Sequence, residues 1–153
     1  MRVDLDILIQ ILMAFAGSLG FALMLNVKKG HVLFASLNGI ISWTVYLVGE
    51  YMLGDILAAT TIASVVASVY AEIMARRRMA PATQFMIIGL IPMIPGASLY
   101  YAMYYAFLSD GDKAKLYGME TLKYAFGIAI GISFVWAVIH MINKIREELA
   151  NTK

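Results

Sequence analysis

The residues best suited to chemistry lie around two prolines inside an apolar run from Ala82 to Leu108. Pro92 and Pro95 have no amide hydrogen, so in a helix the carbonyls of Ile88 and Ile91 would lose their i+4 donors. In hydrocarbon an unpaired backbone group is costly, so such a break requires cover by protein or by a water-filled cavity. The two prolines therefore predict a broken membrane helix. Broken helices at membrane depth hold the substrate site in many transporters.

The residues after the second proline predict an anion-binding site. Gly96, Ala97 and Ser98 would begin a second half-helix, whose first amide hydrogens lack partners and carry the positive end of the helix dipole. Such a helix start attracts a carboxylate. The orphaned carbonyls before the break would accept hydrogen bonds from an ammonium group or from water. A site with both features would hold an amino acid, or only the carboxylates of a small diacid. The alternative is a proline kink that only shapes packing.

Three side chains outside the break join this candidate site. Tyr100 and Tyr101 lie one turn past the break, where they either reach a ligand or pack. Asn38, in another apolar run, either contacts substrate or forms an interhelical hydrogen bond. The candidate substrate-binding residues are Ile88, Gly89, Ile91, Pro92, Pro95, Gly96, Ala97, Ser98, Tyr100, Tyr101 and Asn38.

Glu72 is the only carboxylate well inside an apolar run, which makes it the candidate for proton coupling. The alternative is a helix-end glutamate that pairs with Arg76 at i+4. His31 and His140 have no second ligand at metal spacing, so we predict neither a metal site nor a cofactor. No nucleophile, acid and base stand at a recognisable spacing, and the chain has no cysteine, so we do not expect an enzyme.

The composition predicts an all-α integral membrane protein. Apolar residues make up 61% of the 153 residues and charged residues 14%, against roughly 25% charged in soluble domains. The formal net charge of +2 is too small and dispersed to predict a nucleic-acid partner. The lipid bilayer is therefore the expected environment.

The apolar runs predict about five spans in a single transmembrane domain covering residues 1–153. The spans are 5–27, 32–49, 56–75, 82–108 and 117–142, and the fourth is broken at Pro92, Pro95 and Gly96. Gly30 is expected to cap the first span in a left-handed conformation. Gly127 and Gly131 form a small-xxx-small pattern for helix contact. The segment after residue 144 is expected to be a short frayed helical end.

The distribution of basic residues predicts an outside N-terminus and an inside C-terminus. Eight lysines and arginines would then lie inside, against four outside. The inside group is Lys28, Lys29, Arg76, Arg77, Arg78, Lys144, Arg146 and Lys153. A re-entrant loop over 82–108 gives the same eight-to-four ratio, so charge alone leaves that alternative open.

Two segments carry a family resemblance. Residues 70–83 read Tyr-Ala-Glu-Ile-Met-Ala-Arg-Arg-Arg-Met-Ala-Pro-Ala-Thr, and residues 91–100 read Ile-Pro-Met-Ile-Pro-Gly-Ala-Ser-Leu-Tyr. Together they resemble the C-terminal half of the threonine/serine exporter family, which occurs in some bacteria as a separate small subunit. The family pattern often has a further glycine where this chain has Ala97.

The resemblance implies export of threonine and serine, and in split two-subunit forms of dicarboxylates such as succinate. It also implies a larger partner subunit with a cytoplasmic domain. We therefore expect a subunit of a secondary transporter in the cytoplasmic (inner) membrane that works by alternating access. A homologous five-span partner would be its inverted repeat. The alternatives are a homo-oligomeric channel and a membrane scaffold.

Overall fold

The computed structural model describes residues 2–151 and is helical throughout, with no strand in that range. The helices are α1 Arg2–Met24, α2 Lys29–Leu53, α3 Ile56–Arg78, α4 Ala82–Leu90, α5 Gly96–Phe107 and α6 Gly111–Asn151, with a 3-10 turn at Ile91–Met93 between α4 and α5. Helices α1, α2, α3 and α6 are each long and apolar enough to cross a membrane. The prediction of an all-α membrane protein is confirmed.

The fourth span is bent. The segments Ala82–Met93 and Gly96–Phe107 together are long enough to cross, and they meet at an angle of 51°. Pro95 has a ψ of 55°, which is neither helical nor extended, and it separates the 3-10 turn from the start of α5. The break predicted from the two prolines is therefore present.

Helix α6 runs parallel to α3, and this determines the direction in which the bent pair of α4 and α5 carries the chain. The Lys123 ammonium lies 3.3 Å from the Asp55 carboxylate at the start of α3, and further along Gly131 packs against Ser64. Because α4 begins where α3 ends, the chain must return to the opposite end of the bundle before α6 begins. This path favours a broken span over a re-entrant loop, and with the bent pair counted as one span up to five segments are long and apolar enough to cross.

The core is built from small residues on α3. An alanine stripe with a four-residue repeat is buried on this helix, at Ala59, Ala63, Ala67, Ala71 and Ala75. Such a stripe lets α2, α4 and α6 approach the α3 backbone closely. Gly127 and Gly131 of α6 face α3 with no room for a Cβ, so the predicted helix-contact pattern is confirmed.

Two features predicted for the end of the first span are wrong. Helix α1 ends at Met24, and Asn26 takes the left-handed conformation (φ 54°) in place of Gly30, which lies inside α2. Asparagine tolerates this conformation because its short polar side chain bonds locally. Helix α6 continues past residue 144 to Asn151, as predicted for a helical end, since no glycine or proline interrupts it there. Lys153, one of the basic residues counted above, lies outside the described residues.

Candidate substrate-binding site

The carbonyls before the break have partners within the chain, contrary to expectation. The Ile88 carbonyl accepts a hydrogen bond from the Ser18 hydroxyl of α1 at 3.2 Å. The Ile91 carbonyl accepts one from the amide of Ile94 at 3.2 Å. The Gly89 carbonyl accepts one from the hydroxyl of Ser42 on α2. The carbonyls of Ile88 and Ile91 are therefore not orphaned, and a hydrogen bond from a substrate ammonium group or from water to either of them stays a prediction.

Asn38 forms the interhelical hydrogen bonds that were one of its two expected roles. Its side-chain amide nitrogen donates to the Ala67 carbonyl of α3 at 3.1 Å and to the Phe85 carbonyl of α4 at 3.0 Å. The side chain is fully buried, and its Oδ1 has no hydrogen-bond partner among the described residues. Asn38 thus joins three helices just before the break, and contact with a substrate stays a prediction.

The start of α5 is the open part of the candidate site. Gly96 and Ala97 are exposed, while Ser98 is half-buried and donates from its hydroxyl to the Glu120 carboxylate of α6 at 3.2 Å. Helix α5 has no buried residue and packs mainly on α6. Within residues 2–151, no other helix packs extensively on this first turn.

The two tyrosines after the break point outward. Tyr100 is 62% exposed and Tyr101 is 42% exposed. The ring of Tyr101 also contacts Tyr117 of α6, with centroids 5.3 Å apart, so it helps to hold α5 on α6. Both rings lie at the exposed surface that continues from Gly96 and Ala97.

The break lies nearer the end of the bundle that holds the α2–α3 connection. Met93 packs in one buried cluster with Ala59, Ala63 and Tyr46. Ala59 and Ala63 belong to the first two turns of α3, which begins at Ile56. The arginine triplet Arg76–Arg78 ends the same helix, so it marks the opposite end of the bundle.

Comparison with known proteins decides the family. The sequence model of the family described as Threonine/Serine exporter, ThrE, matches residues 10–138. This chain belongs to the threonine/serine exporter family. The match extends from α1 through the broken span into α6, and it confirms the resemblance read from residues 70–100. No curated protein matches the chain significantly, and no solved structure does.

The exporter's Glu72 forms the ion pair with Arg76 that was one of its two expected roles. The carboxylate lies 3.0 Å from the guanidinium, one helical turn away on α3. Part of the Glu72 side chain stays accessible, and the residue borders three cavities, two of which also border Arg76. Proton coupling by Glu72 stays a prediction.

Sequence reasoning missed several polar groups that the exporter fold brings together near the break. The hydroxyls of Tyr46 on α2 and Tyr124 on α6 are hydrogen-bonded to each other, and Glu120 lies one turn before Tyr124. Ser18 and Ser42 cap carbonyls of α4. Each is a polar residue inside a predicted span, which is the signal that would have marked it as an interhelical contact.

Proposed function

We propose that this exporter chain is one subunit of a secondary transporter that moves threonine, serine or small dicarboxylates out of the cell by alternating access. A second, homologous five-span subunit with a cytoplasmic domain completes it in the inner membrane. The observation that carries the proposal is the uncovered first turn of α5, which continues a span whose other half is buried.

The uncovered helix start needs a partner on physical grounds. The first amides of a helix lack intrahelical acceptors, and within hydrocarbon they require cover by protein or by a water-filled cavity. In this chain α6 covers one side of α5 and the other side is exposed. A second subunit packed there would enclose a small polar space between itself, Gly96 and Ala97. The Gly96 amide donates to the Ile94 carbonyl at 2.8 Å, so a substrate carboxylate would bind to the next two amides, those of Ala97 and Ser98.

An odd number of crossings determines how a homologous second subunit would be oriented in the membrane. Five crossings place the two ends of the chain on opposite sides of the membrane. A homologous partner inserted the other way round would present its own broken helix from the opposite side, as in transporters built from inverted repeats. The helix ends that carry Lys28 and Lys29 and Arg76–Arg78 lie at one end of this bundle, and we assign that end to the cytoplasm.

Reconstitution tests the proposal. Vesicles loaded with labelled threonine receive this chain, the second five-span subunit, or both. Efflux should require both subunits, and vesicles with either subunit alone are the matched controls. Efflux through this chain alone would contradict the two-subunit transporter and favour a homo-oligomeric channel. Absence of threonine, serine and succinate efflux from an assembled complex would favour a scaffold.

A further inference from the structure

A small cavity separate from the break lies in the gap between α4 and α6. Both helices pack on α3 but scarcely on each other, which leaves a space of about 110 Å³ over the α3 surface. That volume is enough for about three water molecules or a short side chain, at about 30 Å³ per water. Most of the lining is apolar, from residues such as Met86, Val135 and Ile139.

The polar lining of this cavity comes from Ser68, Glu72 and Thr83, and the Ser68 hydroxyl is the buried one. Ser68 is 5% exposed, and its hydroxyl has no hydrogen-bond partner among the described residues. Other buried serines differ: the Ser36 hydroxyl donates to the Val32 carbonyl of its own helix at 2.9 Å. A buried hydroxyl without a partner loses free energy, so the Ser68 side chain is suited to a ligand that completes its hydrogen bonding.

A carboxylate lines the cavity, and a guanidinium lies just outside it in the adjoining recess. Glu72 lies one turn after Ser68 on the same face of α3 and lines the cavity, and Arg76 lies one turn further. Their ion pair is partly exposed, with Arg76 bordering the adjoining surface recess that also contains Glu72. Along α3 the order is therefore a buried hydroxyl, a carboxylate and a guanidinium.

We propose that this cavity is a binding site for a small α-amino acid with a side-chain hydroxyl. The ligand hydroxyl pairs with Ser68, its ammonium group with the Glu72 carboxylate, and its carboxylate with the Arg76 guanidinium. The volume admits the side chain of serine or threonine and excludes that of tyrosine. Substrate identity in this proposal rests on the proposed function, whereas the location of the site is independent of it.

The site would serve as a loading site for export. It lies near the arginine end of the bundle, which we assign to the cytoplasm, while the break lies nearer the other end. Along α4, Thr83 at the cavity precedes Ile91 at the break by eight residues, or about 12 Å at the helical rise. A substrate released from the cavity would thus have a short path to the start of α5.

Equilibrium binding to the purified full chain tests the site without any transport measurement. The probe is labelled L-threonine, displaced by L-2-aminobutyrate, which differs only in having hydrogen in place of the hydroxyl. Threonine should bind at least about tenfold more tightly, because a site with a buried hydroxyl discriminates against a ligand that leaves it unpaired. Tyrosine should not compete.

Ser68→Ala should bring the ratio of the two affinities close to one, and Ser36→Ala, the matched buried serine, should leave it unchanged. Glu72→Gln should weaken the binding of both ligands, since both carry the ammonium group.

Equal affinities of the wild type for the two ligands, an unchanged affinity ratio in Ser68→Ala, or no threonine binding at all would overturn the proposed site. If the assembled transporter exports threonine while the chain shows no such discrimination, this inference fails and the proposed function stands. If the chain binds threonine more tightly than L-2-aminobutyrate but the assembled transporter exports no threonine, the site stands and the proposed function fails.

Discussion

The side-chain amide of Asn38 occupies the space that a Cβ at Gly89 would need. The two residues pack together where α2 meets the last turn of α4, just before the break. The same amide group is held by carbonyls of α3 and α4, so it has little freedom to move aside. Glycine at position 89 therefore fixes how closely the broken span approaches α2.

Gly89→Ala should destabilise the protein by about 1–3 kcal/mol, the usual cost of an added methyl group in a packed interior. Thermal unfolding of the purified chain in detergent measures this loss. Gly30→Ala is the control, because the Cβ position at Gly30 has open space around it. Equal melting temperatures for the two variants would contradict the close approach of Asn38 and Gly89.

Gly131→Ala should loosen α6 from α3. A Cβ there would meet the Ser64 side chain and the Thr61 carbonyl, and a backbone carbonyl cannot be moved by a side-chain rotation. Gly118→Ala, on the same helix but in open space, is the matched control. Resistance to unfolding by increasing amounts of a denaturing detergent should fall for Gly131→Ala alone. Equal resistance in both variants would show that α6 packs elsewhere.

Asp55 should make stability depend on pH at the start of α3. The amide of Ala58 and then the Lys123 ammonium lower the pKa of the Asp55 carboxyl below its usual range. A carboxyl group whose pKa is lower in the folded than in the unfolded protein stabilises the fold at pH values above its unfolded pKa of about 3.9. This stabilisation is lost as the pH falls through the pKa of the folded protein. Between pH 6 and pH 3 the melting temperature should therefore drop less in Asp55→Asn than in the wild type. Asp112→Asn serves as the control, and parallel curves for the wild type and Asp55→Asn would refute the contribution.

Local sequence predicted the spans and the break, because both depend on residue types that act locally. The apolar runs fix the helices through their length, and Pro92 and Pro95 interrupt one of them regardless of its surroundings. The pairing of Ser18 with Ile88 joins residues 70 positions apart, so it depends on which helices become neighbours. The position of the Ser68 hydroxyl at a cavity has the same origin, since the cavity exists because α4 and α6 both pack on α3 and scarcely on each other.

Pro95→Ala should reduce export without reducing stability. An alanine amide at position 95 would offer the Ile91 carbonyl an i+4 donor, and α4 would tend to continue into α5. Straightening the break would remove the free helix start. Threonine efflux from complexes matched for amount in the membrane measures the loss, with thermal unfolding as the check on stability. A variant that is poorly assembled yet exports at the normal rate per complex would indicate a kink that only shapes packing.

Gly96→Val gives the most direct test that the start of α5 binds substrate. The Cβ position at Gly96 has open space around it, so the variant should fold, while its branched side chain blocks the approach of a carboxylate to the first amides. The measurement is the rate of threonine efflux per assembled complex, compared with Gly30→Ala in the same vesicles. We predict that Gly96→Val complexes assemble in normal amounts and export at a small fraction of the control rate. Export by Gly96→Val complexes at the control rate would contradict a substrate site at the break.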